Sequence, residues 1–339
     1  MNLWQYIFRR ILSTVPTIFG ALIIMFVLTR ILPGDPVLMV LGPAHSSPEN
    51  IAHTRKTMGI DQPLPVQFVR YLGQLVQGDL GYSWHTGNPV GKDLIMRFPA
   101  TFELTTVALI LMVIFGIPLG IVAGYYRNKT PDNIINGITV MGISMPSFWL
   151  GLLLIYIFFF ILEVAPPPMG RLSSEVNVPP VVTGLLLIDA LLSKDFSAFL
   201  SALHQLVLPA VTLAFFNLAI IVRTLKADII DTLREDFIRT ARAMGLSQKR
   251  VLFKHALRNA LLPTVTMLGT IYGFLLGGAV FTEVVFSWPG VGMYAVESIQ
   301  WLDYSGLQGF IIFYVLVFTI VNLLVDISYK VIDPRVQFD

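Results

Sequence analysis

Cysteine is absent from this 339-residue chain, which excludes a disulfide framework, a thiolate nucleophile and thiolate metal ligands. Charge is scarce. Asp, Glu, Lys and Arg make up 13% of the residues, about half the share of an ordinary soluble domain. The formal net charge of +2 is too small to draw the chain to nucleic acid. Five histidines, His45, His53, His85, His204 and His255, show no close paired spacing, so no metal site is expected. A phosphate loop is also missing. Gly91-Lys92 is followed by Asp93 and lacks the upstream glycine of a Walker motif, so ATP is expected to bind elsewhere.

Apolar residues fill the space that charge leaves. They make up 55% of the chain, and the mean hydropathy is +0.73. A helix needs about 20 apolar residues to cross a bilayer. Six stretches free of Asp, Glu, Lys and Arg meet that length: 11–29, 104–126, 134–162, 205–222, 259–282 and 304–325. The uncharged run 176–188 is too short and carries Pro179 and Pro180, so it reads as a loop or interfacial segment. The first stretch follows Arg9 and Arg10 as a secretory signal would, but it is long for one and no small-x-small cleavage site follows it. It is expected to stay in the membrane.

Six spans place both termini on one side, and the basic residues choose the side. With cytoplasmic ends, the inner segments hold Arg9, Arg10, Arg127, Lys129, nine basic residues within 223–258, Lys330 and Arg335, which is 15 of 23. Six of the remaining eight lie in one long loop, where the rule has little force. The expected domains are therefore an N-terminal end with the first span (1–32), an external loop domain (33–99), a transmembrane core (100–330) with a cytoplasmic loop at 223–258, and a cytoplasmic tail (331–339).

That cytoplasmic loop carries nine basic and four acidic residues and is too long for a tight connection. Its first half reads as a short amphipathic helix with Phe237, Ala241 and Met244 as its apolar positions. Gly245 suits a left-handed helix end, and Ser247 suits the cap of a second helix. There Arg250, Lys254 and Arg258 recur every four residues as a basic stripe. Pro263 is expected to kink the chain as it enters the membrane. By periodicity alone, the loop serves equally well as a surface for lipid headgroups.

Its residues narrow that choice. Arg239-Thr240-Ala241, three residues, Gly245, and then Ala256-Leu-Arg-Asn-Ala-Leu-Leu-Pro263 resemble the cytoplasmic loop of ABC-importer permeases. The general Glu-Ala-Ala is replaced by the Arg-Thr-Ala of the dipeptide and oligopeptide branch, which also includes nickel and glutathione systems. Ile31-Leu-Pro-Gly-Asp-Pro-Val37, Gly59-Ile-Asp-Gln-Pro63, Gly78-Asp-Leu-Gly81, Ser144-Met-Pro-Ser-Phe-Trp149 and Phe286-Ser-Trp-Pro-Gly-Val-Gly292 are similar to landmarks of that branch, in order along nearly the whole chain.

The resemblance implies an all-α integral membrane protein of the type I importer permease fold, with six transmembrane helices in the bacterial inner membrane. It implies import of dipeptides or short peptides. The implied partners are a second homologous permease, two ATP-binding subunits that hold the ATP and magnesium, and an external solute-binding protein. No cofactor and no catalysis are expected on this chain. Asp236, Phe237, Arg239, Thr240, Ala241, Met244 and Gly245 are the implied contact with the ATPase.

Intramembrane acids are functional candidates by default. Glu103, Glu283, Asp303 and Asp326 all fall at span ends and read first as anchors or gate-lining groups. The lack of a midplane charge disfavours an ion-coupled carrier. The spans also hold no cluster of acid, base and nucleophile, which disfavours a membrane enzyme. Asn217, Pro146 and Glu283 are the candidates for the translocation path. Trp149, Trp288 and Trp301 read as interfacial belt residues, and the glycines near 116–120 and 269–278 as points of close helix contact.

Overall fold

A computed structural model describes residues 3–31, 35–42, 47–277 and 279–332. Residues 32–34 of the first landmark, His45, Gly278, 333–339 of the expected tail and the Asp326 side chain lie outside the described residues. The architecture is all-helical.

Helix α1 (Leu3–Ile31) is long and apolar, and only 22% of its most apolar window is buried. It therefore runs along the edge of the bundle. Three short helices follow, α2 (Pro36–Leu41), α3 (Pro48–Met58) and α4 (Leu64–Val76). Local chemistry starts the first two: Asp35 accepts from the Val37 amide at 3.0 Å and Ser47 from the Asn50 amide at 3.3 Å, with proline in the first turn of each.

Helix α5 (Val90–Leu111) passes through a π-wound stretch, Met112–Gly116, into α6 (Ile117–Tyr125), and Val90–Tyr125 forms one span. The helix thus begins well before the expected start at 104. The charges that hid this are paired: Arg97 with Glu297 at 2.8 Å and Glu103 with Arg171 at 2.7 Å, while Asp93 accepts from Asn88 at 3.1 Å.

The expected straight span 134–162 is instead α7 (Thr130–Ser144) and α8 (Ser147–Leu154), the latter continued by π-wound Ile155–Ile161; the two arms bend by 105°. Pro146 explains the break. It has no amide to extend α7, and it forces the preceding Met145 to an extended φ −95°, ψ 129°. Among the described residues five helices are long and apolar enough to cross a membrane, and this bent pair makes the sixth candidate.

After α9 (Leu186–Leu192), α10 (Phe196–Thr232) runs for 37 residues, about 55 Å. Its apolar window is 72% buried, so it is the axis of the bundle. Gly116, Gly120 and Gly124 meet Ile221, Leu225 and Ile229 at the same four-residue spacing, so close that added Cβ atoms would lie 3.1, 2.9 and 2.9 Å away. Such notches matter in lipid, where packing rather than water drives helix association.

The remaining elements are α11 (Asp236–Ala243), α12 (Gln248–Arg250), π-wound Val251–Ala256, α13 (Leu257–Leu276), α14 (Val280–Val285), α15 (Val291–Gln300) and α16 (Tyr304–Ile332). Pro263 lies inside α13 and does not break it. Gly269 lets α13 approach Val325 of α16. The Gln308 amide of α16 donates to Thr29 of α1 at 3.0 Å.

Candidate functional site

The expected loop 223–258 is largely structured. α10 continues to Thr232, and α11 then folds back against the π-wound start of α13. The two contact through a small core of Ile238, Ala241, Val251 and Ala256, closed by Leu233 and Leu246. Ile238 is fully buried. Phe237 and Met244, read from the sequence as part of the apolar face, point away from that core and are 43% and 68% exposed. Ile238 is the residue that the sequence reading passes over; its three-residue spacing to the buried Ala241 is the signal that finds it.

The outward face is polar around those two side chains. Asp236 and Arg239 pair at 3.2 Å and are both strongly exposed. Thr240 donates to the Asp236 carbonyl at 3.0 Å. Gly245 closes the helix at φ +79° with open space where a Cβ would be; its amide donates to the Arg242 carbonyl at 2.9 Å, and the Leu246 amide to Ala241 at 3.3 Å. Ser247 occupies the cap position before α12 but makes no side-chain cap bond. Arg250, Lys254 and Arg258 are all exposed. Seven of the sequence-selected residues thus lie on one short helix and its end, six of them outward and Ala241 inward.

The other three candidates are apart from this helix. Asn217 is 7% exposed, and its amide nitrogen donates to the Leu213 carbonyl of its own helix at 2.9 Å. Pro146 is exposed at the elbow between α7 and α8. Glu283 is wholly buried. It accepts from the Thr101 hydroxyl at 2.7 Å and from the Met293 amide at 2.8 Å. Thr101 in turn accepts from the Val291 amide at 2.9 Å. Gly290 passes so close that a Cβ there would lie 2.4 Å from the carboxylate. The Phe286–Gly292 landmark is therefore a collar around Glu283. Trp288 belongs to that collar: it is 1% exposed and donates to the Ala100 carbonyl at 2.8 Å, so it is a core anchor and not a belt residue.

Two further acids tie loops to spans. Glu103 holds Arg171 and the Leu187 amide, at 2.7 Å each. Asp303 binds Ser83 and accepts from the Gly306 amide at 3.0 Å. In α9, burial opposes the ionisation of Asp189, but hydrogen bonds from Thr183 and the Gly184 amide outweigh it and hold the carboxyl below its ordinary range. Among the described residues no group of three or more His, Asp or Glu side chains could hold a metal ion.

The family model for the binding-protein-dependent transport system inner membrane component matches residues 116–338, and the model for the N-terminal part of such membrane components matches 3–105. The chain belongs to this transport family. Full-length relatives agree. The probable D,D-dipeptide transport system permease protein of Escherichia coli K12 is 43% identical over 99% of this chain and 98% of its own length. The di/tripeptide transport system permease protein of Pseudomonas aeruginosa is 41% identical over 98% of each. The glutathione transport system permease protein of an Escherichia coli O6:H1 strain is 37% identical over 98% of this chain and 99% of its own. This inner-membrane component is thus a multi-pass transport subunit and not a catalyst, and it works with a binding protein and the other components of its transport system.

Proposed function

We propose that this inner-membrane component imports dipeptides or short peptides with energy from ATP bound on other subunits. In this reading it pairs with a second, homologous permease, two ATPase subunits carry the ATP and magnesium, and an external binding protein delivers the solute. Both termini are cytoplasmic, and α11 docks on an ATPase. No cofactor resides on this chain.

One observation carries the reading. α11 is fastened from below by Ile238 and Ala241 to the root of α13, while Phe237 and Met244 stand uncovered on its other side. A rigid element of this kind transmits a push. Closure of an ATPase pair on the Phe237 face would move α10 and α13 together, a rigid-body route to alternating access. The elbow at Pro146, with Phe148 and Trp149 exposed beside it, supports placing the peptide path on the face of the bundle that the second permease would cover. Asn217 and Glu283 then support that wall from within.

The test is uptake of labelled dipeptide into liposomes holding the complete complex. Deletion of 237–245 should abolish ATP-dependent uptake. Uptake that persists with the ATPases omitted overturns the reading. The glutathione relative favours a second reading, a different small solute on the same machinery. Competition for the binding protein among dipeptides, tripeptides and glutathione decides between them. An impermeant label that reacts at 249 in intact cells overturns the proposed orientation.

A further inference from the structure

Two cavities meet at one arginine beside the Ile31 end of α1. The first is a groove of about 530 Å³ between α1 and α4, lined by Ile23, Phe26, Val27, Leu64, Pro65 and Phe68, with Arg30 at its rim. The second is a polar cleft of about 740 Å³ whose wall includes Gln67, Arg70, Tyr71, Gln74 and Tyr304. Among the described residues Arg30 is common to both.

The groove lies among exposed apolar side chains of α1 and α4. α4 lies along α1 rather than above it, because Phe68 contacts both Phe19 and Phe26, with ring centroids 6.1 and 5.0 Å away. Leu64, Val66, Val69 and Val76 of α4 are exposed, as are Ile24, Val27 and Leu28 of α1. An amphipathic helix of this kind belongs at headgroup depth with its apolar side in the acyl region.

Among the described residues Arg30 has no acidic partner. Among the described residues its guanidinium meets neutral groups, Thr29 at 3.0 Å, Gln67 at 3.2 Å and the Phe26 ring at 4.0 Å. The two acids of the cleft are engaged elsewhere: Asp35 pairs with Arg55, and Asp79 accepts from the Gly81 amide. Tyr71, on the same cleft, has a buried hydroxyl with no hydrogen-bond partner among the described residues. An unpaired cation at the rim of an apolar groove, with an unsatisfied hydroxyl on the adjoining cleft, fits an amphiphile with an anionic head. A phosphate would accept from both groups, and an acyl chain would fill the groove.

We infer that an anionic phospholipid binds between α1 and α4, with its phosphate on Arg30 and Tyr71 and one acyl chain against Phe26 and Phe68. In the orientation proposed above, it comes from the outer leaflet. The site is independent of which solute is carried, since no residue of α11 or of the Pro146 elbow takes part.

The test uses the full complex in phosphatidylcholine nanodiscs containing trace phosphatidylglycerol with a photoreactive acyl chain. Mass mapping should place the label within 23–31 and 64–68, several-fold above the same probe on a phosphatidylcholine head. Unlabelled phosphatidylglycerol should compete and inorganic phosphate should not. Arg30→Gln should reduce labelling to the phosphatidylcholine level, and Tyr71→Phe should reduce it partly in a chain whose fold is unchanged. Equal labelling by the two headgroups means annular lipid and overturns the inference. So does full competition by inorganic phosphate, or labelling that both variants leave intact.

Discussion

The two ends of α13 handle burial in opposite ways. Beyond its C-terminal end lies Glu283, a carboxylate removed from solvent and given its donors by the chain itself, from Thr101 and the Met293 amide. Before its N-terminal end lies α11, which buries Ile238 and Ala241 but leaves Phe237 uncovered. A buried acid without partners costs several kcal/mol, so the collar has to be completed within the chain. An exposed phenylalanine costs the folded chain little and becomes useful only when another protein covers it. One end is finished by folding and the other by assembly, so substitutions at the two should fail in different assays.

The largest loss is expected at the collar. Gly290→Ala places a methyl group 2.4 Å from the Glu283 carboxylate, and either the carboxylate leaves its donors or the landmark loop unwinds. Overpacking together with loss of the hydrogen bonds from Thr101 and the Met293 amide gives about 3–5 kcal/mol. Thermal unfolding of the purified complex should show it, with a smaller shift for Gly292→Ala, where the approach is 3.0 Å. An unchanged midpoint for Gly290→Ala would mean that the collar is not rigid.

At the other end two neighbouring residues should part company. Ile238→Ala empties a filled core and should cost about 2–5 kcal/mol. Phe237→Ala should leave the unfolding midpoint in place yet reduce ATP-driven uptake by about tenfold or more, the scale of a buried interface anchor worth at least about 1.4 kcal/mol. Equal effects of the two variants on stability would remove the distinction between the inner and outer faces of α11.

This pair also shows where the sequence is legible and where it is not. The α11 segment, its end at Gly245 and the number of candidate spans follow from apolar length, charge and glycine. The inner face of α11 is faint in the sequence because so short a helix gives about two turns, which leaves the Ile238–Ala241 spacing as its one signal among charged positions. The start of α5 is hidden because Arg97 and Glu103 find partners 200 and 68 residues away, and such pairing neutralises charges that a local hydropathy reading counts in full. The 105° elbow is visible as Pro146, but a proline marks a break and not its angle. The collar is visible as a landmark, but its purpose is not, since Glu283 and Thr101 meet only through the fold.

The pH response extends the comparison to α9. Asp189 is buried with its carboxyl held below the ordinary range by Thr183 and Gly184. A depressed carboxyl stabilises the fold above its unfolded value, about 3.9, and that contribution is lost as pH falls through the folded value. Asp189→Asn should therefore lower stability at pH 7 by about 1.5–3 kcal/mol, the worth of hydrogen bonds to a charged group. The gap from the unsubstituted chain should narrow below about pH 4. A gap that stays constant down to about pH 3 would assign the effect to packing.

The smallest expected effect isolates backbone shape from everything else. Gly245 sits at φ +79° with no atom within 4 Å of where a Cβ would lie, so a side chain there meets strain but no clash. Gly245→Ala should cost about 1–2 kcal/mol, the penalty of a left-handed residue bearing a Cβ, and Gly245→Asn should cost less because asparagine tolerates that region. If the turn after α11 sets the angle at which Phe237 is presented, the same ranking should reappear in uptake, with alanine below asparagine and asparagine below glycine. A ranking in stability without one in uptake would show that α11 transmits motion through its buried face alone, and that its glycine end serves only to fold.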